Sequence, residues 1–445
     1  MKSPDSIRSH YESAFARFER GLNGGASTPL HLARRRGLAA FAETGFPTTA
    51  EEEWRFTSVA PIAAIPFVPA PSASAGNVSA ADVRRWALPG GVLLVFVNGR
   101  FAPDLSALPP LPRGARIGSL AAALAADPSL LVREFSPEAG AVHDAFGALN
   151  TAFLTDGAYV SLDDGVALDQ PVHILSLVAP GSEPLLVLPR HLILAGAGAR
   201  VNVLETYGGT APGGFLTDAV TEIRAGEGAV VEHDTLQMEG PAAYHVGTTL
   251  VTLGRGGSFT SNAIMLGGAL TRNNVNAVFA GEDAECTLNG LSVATGTQHI
   301  DNHTVIDHAL PRCRSHELYK AVLDGSSRGV FNGKIVVRQD AQKTDAKQTN
   351  RTLLLSDEAT VDTKPQLEIF ADDVKCTHGA AVGQLDEEQL FYLRSRGIDA
   401  EDARDILTFA FASDVINRVH VDALRERLDT LLHARLRQGR VSTES

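Results

Sequence analysis

Cysteines, aromatic residues and long apolar runs are all scarce in this chain of 445 residues. The three cysteines, Cys286, Cys313 and Cys376, follow no regular spacing. A small, odd number of thiols excludes a disulfide framework and points to a reducing compartment. The strongest apolar runs, VLLVFV and HLILAGAGA, fall far short of the ~20 residues that span a bilayer. The opening stretch MKSPDSIRSHYESAFARFERGL is too charged to hold the apolar region of a signal peptide. A soluble cytoplasmic protein with no membrane partner is the expectation. Lys and Arg are scattered and the formal net charge is −13. No basic stripe exists to follow a phosphate backbone, which argues against a nucleic-acid partner. Aromatics make up only 6% of the chain beside 41 glycines, a balance that suits turn-rich β structure better than a helical bundle.

Four regions follow from the pattern along the chain. Residues 1–80 read as helical, with Ile7, Tyr11, Phe15 and Phe18 on one helix face. Ser27 and Thr28 are candidate caps for a second helix that ends at Gly45 and Pro47. The stretch PFVPAPSASAGNVSA reads as a linker. Residues 81–157 mix short strands with a helix over SLAAALAADPSLLVREF, an α/β connector. From 158 to 383 short strands alternate with glycine turns, and a unit recurs: AGAGARVNV, AGEGAVVEH, LGRGGSFTS and AGEDAECTL. The small residues Ala199, Ala229, Gly257 and Ala284 are 30, 28 and 27 residues apart. Gly329 and Ala359 extend the series after steps of 45 and 30. A unit that cannot bury its apolar face alone must stack on its neighbours, so a β-solenoid is expected, with a β-sandwich as the alternative. Residues 384–445 return to helical periodicity, with Asp386 and Asp399 as caps and a last amphipathic helix carrying Leu424, Leu428, Leu431 and Leu432. The tail STES reads as disordered.

Cys376 and His378 stand two apart on an expected strand and so share a face. A thiolate beside an imidazole is a soft pair suited to iron, zinc or copper(I). Two donors cannot complete a site that needs four, so the rest must come from elsewhere in the chain or from another chain. Taken alone, the pair reads first as a packed thiol and a hydrogen-bonded imidazole. Cys286 and Cys313 read as isolated buried thiols. The G-x-S-x-G match at 325–329 leads into a strand instead of the helix a nucleophile elbow needs. The loop-like run at 329–334 is one residue short of a phosphate loop and has Ile335 where Ser or Thr would bind Mg²⁺. Asp372, Asp373 and His378 on a solenoid raise a rival, a solenoid carbohydrate-active enzyme working through carboxylates. The two aspartates are adjacent, however, and on a strand would face opposite ways.

The stretch GVFNGKIVVRQDAQKTDAKQTNRTLLLSDEATVDTKPQLEIFADDVKCTHGAAVGQLDEEQLFYLRSRGI closely resembles the core of the SufB/SufD family. The following GIDAEDARDILTFAFASDVI and the earlier GFPTTAEEEWRFTSV extend the resemblance, which favours the SufD branch over SufB itself. It implies a right-handed parallel β-helix core between N-terminal and C-terminal helical regions. It also implies a non-catalytic scaffold that pairs with a SufB-like subunit through the β-helix and binds a SufC-like ATPase through the C-terminal helices. A nascent iron–sulfur cluster would form at the subunit interface, with His378 as a ligand and Cys376 beside it. ATP binding and hydrolysis would sit on the ATPase and not on this chain. Leu390, Phe391, Ile406, Phe409 and Phe411 are the apolar residues expected to dock the ATPase. Reduced flavin is left open, since no dinucleotide fingerprint is present, as is a homodimer of the isolated chain.

Overall fold

The computed structural model describes residues 4–22, 28–70, 78–134, 144–179, 181–210 and 213–441. Ser27, residues 71–77 of the expected linker, Phe135 and the tail 442–445 lie outside the described residues.

Two sheets of parallel strands run the length of the molecule and face each other across a common interior. The chain alternates between them, so each circuit adds one strand to each sheet. The first sheet ends with Leu270–Phe279, His299–His308, Arg328–Val337 and Thr360–Ile369. The second ends with Glu285–Ala294, Arg314–Leu323, Asp345–Leu354 and Lys375–Gly383. This is the expected parallel β-solenoid between N-terminal and C-terminal helical regions. Strands from before residue 158 join the same sheets: Val92–Val97 pairs in parallel with Val172–Val178, and Ala115–Ser119 pairs antiparallel with Ala158–Leu162.

The repeat has a simple physical origin. The turn before each second-sheet strand from Arg200–Gly209 to Asp345–Leu354 uses one residue with positive φ. Gly198, Gly228 and Gly256 supply it at 67°, 63° and 60°. Glycine takes that conformation without a Cβ penalty. Asp283, Arg312 and Lys343 take it over in later rungs at 60°, 61° and 64°. The series after Ala284 therefore runs through Cys313 and Thr344. Gly329 and Ala359 instead belong to strand starts of the opposite sheet, so the step of 45 mixed two turn columns. The connector holds a second correction. Its single expected helix is two, Leu120–Ala126 and Ser129–Glu134, because Pro128 disfavours helix at Asp127 and breaks the run.

Helices cover the outer faces. Thr28 caps Pro29–Thr44 by accepting from the His31 amide at 3.2 Å. That helix, Pro4–Arg20 and Ala145–Ala152 place Ile7, Tyr11, Phe15, Phe41 and Phe146 against Leu186, Leu216, Val246 and Leu270 of the first sheet. Ala400–Ile416 and Asp422–Val441 lie on the second sheet, where Val415, Ile416, Leu424, Leu428 and Leu432 meet Leu236, Ile264, Leu291 and Val322. None of the described helices is long and apolar enough to cross a membrane.

Candidate functional site: the open last rung

The solenoid ends in two strands that have a neighbour on one side only, Thr360–Ile369 and Lys375–Gly383. Their side chains are half-buried to exposed along almost their whole length, unlike those of the rungs before them. Ile369, Phe370 and Val382 are exposed apolar residues there, Phe370 to 61%. An unpaired strand edge is a template for another chain unless something blunts it. Pro365 removes a donor from the first of these strands. The second, KCTHGAAVG, has neither proline nor any Lys, Arg, Asp or Glu beyond its first residue.

Cys376 and His378 stand on this second strand. Register places them above Ala346 and Gln348 of the preceding rung, which stand above Ser315 and Glu317. Ala346 belongs to the interior cluster of Ile335 and Val337, and Cys376 packs against it. Both site residues therefore occupy inward-facing positions on a rung that no further strand covers among the described residues. Cys376 is half-buried, and burial pushes its thiol up from its ordinary value, so the free chain holds it as a thiol. His378 is exposed. The donor set suits a soft metal, and the open side of the rung leaves room for ligands from a second chain. Among the described residues, no group of three or more His, Cys, Asp or Glu is arranged to hold a metal ion.

The other thiols are separate. Cys286 shares the column of Cys376 but lies three rungs back, through Ser315 and Ala346, about 14 Å at the usual strand spacing. Cys313 sits in a turn, its Sγ donating to the Gly281 carbonyl at 3.3 Å. Asp372 and Asp373 are not on a strand. They form an exposed bend, where Asp373 pairs with Lys343.

The five docking candidates divide. Phe391 and Ile406 are exposed, at 74% and 45%, and the neighbouring Tyr392 is exposed too. Leu390 is buried. Phe409 stacks on His433 at 4.1 Å, and Phe411 lies under the Lys320 ammonium at 4.5 Å, so both are spent on internal packing. Tyr392 escaped the sequence reading because helical periodicity alone did not show which side of Glu387–Ser395 faces away from the solenoid.

The EEEWRFT segment turns out to be a latch. The Arg272 guanidinium lies 3.7 Å from the Trp54 ring centre and donates to the Glu53 carbonyl and to Asp301 Oδ2. The Thr57 hydroxyl donates to Asp301 Oδ2 at 2.6 Å. Burial pushes the Asp301 carboxyl up, but His303 and Arg272 overcome it and hold the group well below the usual carboxylate range. Glu53 faces Lys334 at 3.8 Å, and Glu52 reaches Lys364 on the last rung at 2.7 Å. The alternation HIDNH from His299 to His303 was the available signal for this polar face.

Comparison with known proteins agrees with this architecture. Residues 178–411 match the family described as SUF system FeS cluster assembly, SufBD core domain, and residues 5–174 match the SufBD protein N-terminal region. An iron–sulfur cluster assembly SufBD family protein of Synechocystis is 33% identical over 423 residues, 92% of each chain. The iron–sulfur cluster assembly protein SufD of Escherichia coli is 33% identical over 406 residues, 90% of this chain and 92% of that one. The chloroplastic protein ABCI7 of Arabidopsis thaliana is 30% identical over 414 residues, 90% and 85%. A parallel solenoid clad in helices, ending in an open rung that carries a thiol and an imidazole, thus belongs to the SufB/SufD family of the SUF system, which assembles iron–sulfur clusters.

Proposed function

We propose that this chain is the SufD-type half of a two-subunit scaffold and lends His378 to a nascent cluster built where the subunits meet. The observation that carries this reading is the unblunted edge strand Lys375–Gly383, with Cys376 and His378 at inward-facing positions on it. A SufB-like subunit continues the solenoid there and supplies the remaining ligands. A neutral imidazole binds iron without first losing a proton, whereas the Cys376 thiol must ionise from a raised starting point, which makes His378 the stronger candidate. The cluster is cargo, assembled on the rung and passed on. Phe391, Tyr392 and Ile406 form the apolar surface for a SufC-like ATPase, which carries the nucleotide chemistry. The likeness to SufD of Escherichia coli over nine-tenths of the chain supports the SufD-type assignment.

The test is co-expression with SufB-like and SufC-like partners, followed by anaerobic purification and iron and sulfide analysis. His378→Ala should leave the complex intact and lower both contents several-fold. Parent levels in the variant would refute the ligand role. A loss confined to Cys376→Ala would move the assignment by two residues.

A further inference from the structure

Much of the solenoid interior is apolar, but the column that ends at His378 is polar at most positions from His233 onward. Ser261 is followed by Leu288, Glu317, Gln348 and His378, each directly above the last in parallel register. Glu317 and Gln348 are buried. The Gln348 carboxamide nitrogen donates to Glu317 Oε2, an oxygen that accepts whether or not the carboxyl is ionised. This fixes which end of the amide points down the column. The other end, Gln348 Oε1, is buried and has no hydrogen-bond partner among the described residues. Room for the amide comes from the facing strand. A Cβ on Gly333 would stand 2.3 Å from Gln348 Nε2, so a side chain there would push the amide out of its present position. A buried carbonyl oxygen without a donor is costly, so a donor within reach has a strong pull. The next residue in the column is His378, one rung away at about 4.8 Å, with an exposed ring able to change rotamer.

We propose that Gln348 is a positioning residue for His378: its carboxamide oxygen accepts one ring N–H of the imidazole and leaves the other nitrogen unprotonated and turned to the open edge. Histidines that bind metal commonly have the second nitrogen fixed this way, and the acceptor decides the tautomer. Glu317 acts one step further back by holding the amide in orientation. Only the use of the freed nitrogen rests on the proposed ligand role. The hydrogen bond itself belongs to the chain alone.

The test uses the full chain labelled with ¹⁵N-histidine, without metal or partner, at pH 8, where an ordinary imidazole is neutral. The His378 signals are identified by their loss in His378→Ala. The parent should show His378 strongly biased to one tautomer. Gln348→Leu should return it to the mixture of a free imidazole. The double exchange Glu317→Gln with Gln348→Glu keeps both the internal hydrogen bond and an outward oxygen, and should keep the bias. A mixed tautomer in the parent, or an unchanged bias in a folded Gln348→Leu chain, would overturn the proposal. Either result is independent of iron content. A failure of His378 as ligand would appear instead as undiminished iron in the His378→Ala complex.

Discussion

Glu317 couples the polar column to pH. Burial pushes its carboxyl up to about 7 from an ordinary 4.5, with the Gln348 hydrogen bond opposing the rise. Between those two values the folded chain holds a proton that the unfolded chain has released. Stability should therefore fall as pH rises from about 4.5 to about 7 and change little from this group above that. The full shift corresponds to about 3 kcal/mol. Glu317→Gln removes the titration. Chemical denaturation at pH 5 and pH 8 should show the variant gaining about 1–3 kcal/mol on the parent between the two conditions. An equal difference at both pH values would contradict the assignment. The placement of Cys376 and His378 on one face was legible in the sequence, because strand period two needs no tertiary knowledge. Gln348 was not. It stands thirty residues before His378, and only register brings the two together.

At the scale of elements, the latch and the C-terminal helices carry separate predictions. Arg272 and Asp301 are both buried, so Arg272→Met takes the guanidinium from a buried carboxylate and leaves it with His303 and Thr57 alone. It should cost about 3–5 kcal/mol in urea denaturation. Arg338→Ala breaks an exposed pair with Asp307 and should cost under about 1 kcal/mol. Similar costs for the two would contradict a latch role for Arg272. The helices both cover the solenoid and present a surface. Removing everything after Gly383 would uncover Leu236, Ile264, Leu291 and Val322, so that truncation should aggregate and cannot isolate docking. The informative change is Phe391→Ser with Ile406→Ser on exposed positions. Binding of the SufC-like ATPase, measured by calorimetry, should weaken several-fold with the thermal midpoint unchanged. Parent affinity would move the docking surface elsewhere. Helix ends were readable from Thr28, Asp386 and Asp399, each of which caps as expected, since capping is local chemistry. The later turns were hidden because Asp283, Arg312 and Lys343 do glycine's work, and their stacked neighbours hold them there. Arg312 donates to Asp283 at 2.7 Å, and Lys343 pairs with Asp373.

At the scale of the whole molecule, the solenoid is shielded by helices on its outer faces but left open at its last rung. The repeat announced a stacked β architecture, because every rung needs a neighbour to bury its apolar positions. Which end stays uncovered was not readable, since helices follow the last strand in sequence yet lie along the sheet and not across its end. The proposed pairing, cluster formation and role of His378 all rest on the open rung. Hydrogen exchange tests it directly, by comparing backbone amides in the isolated chain and in the complex with a SufB-like subunit. Amides of Lys375–Gly383 should exchange fast in the isolated chain and gain strong protection in the complex, because a partner strand supplies the missing ladder. Unchanged exchange on that strand, with protection appearing elsewhere, would contradict the account.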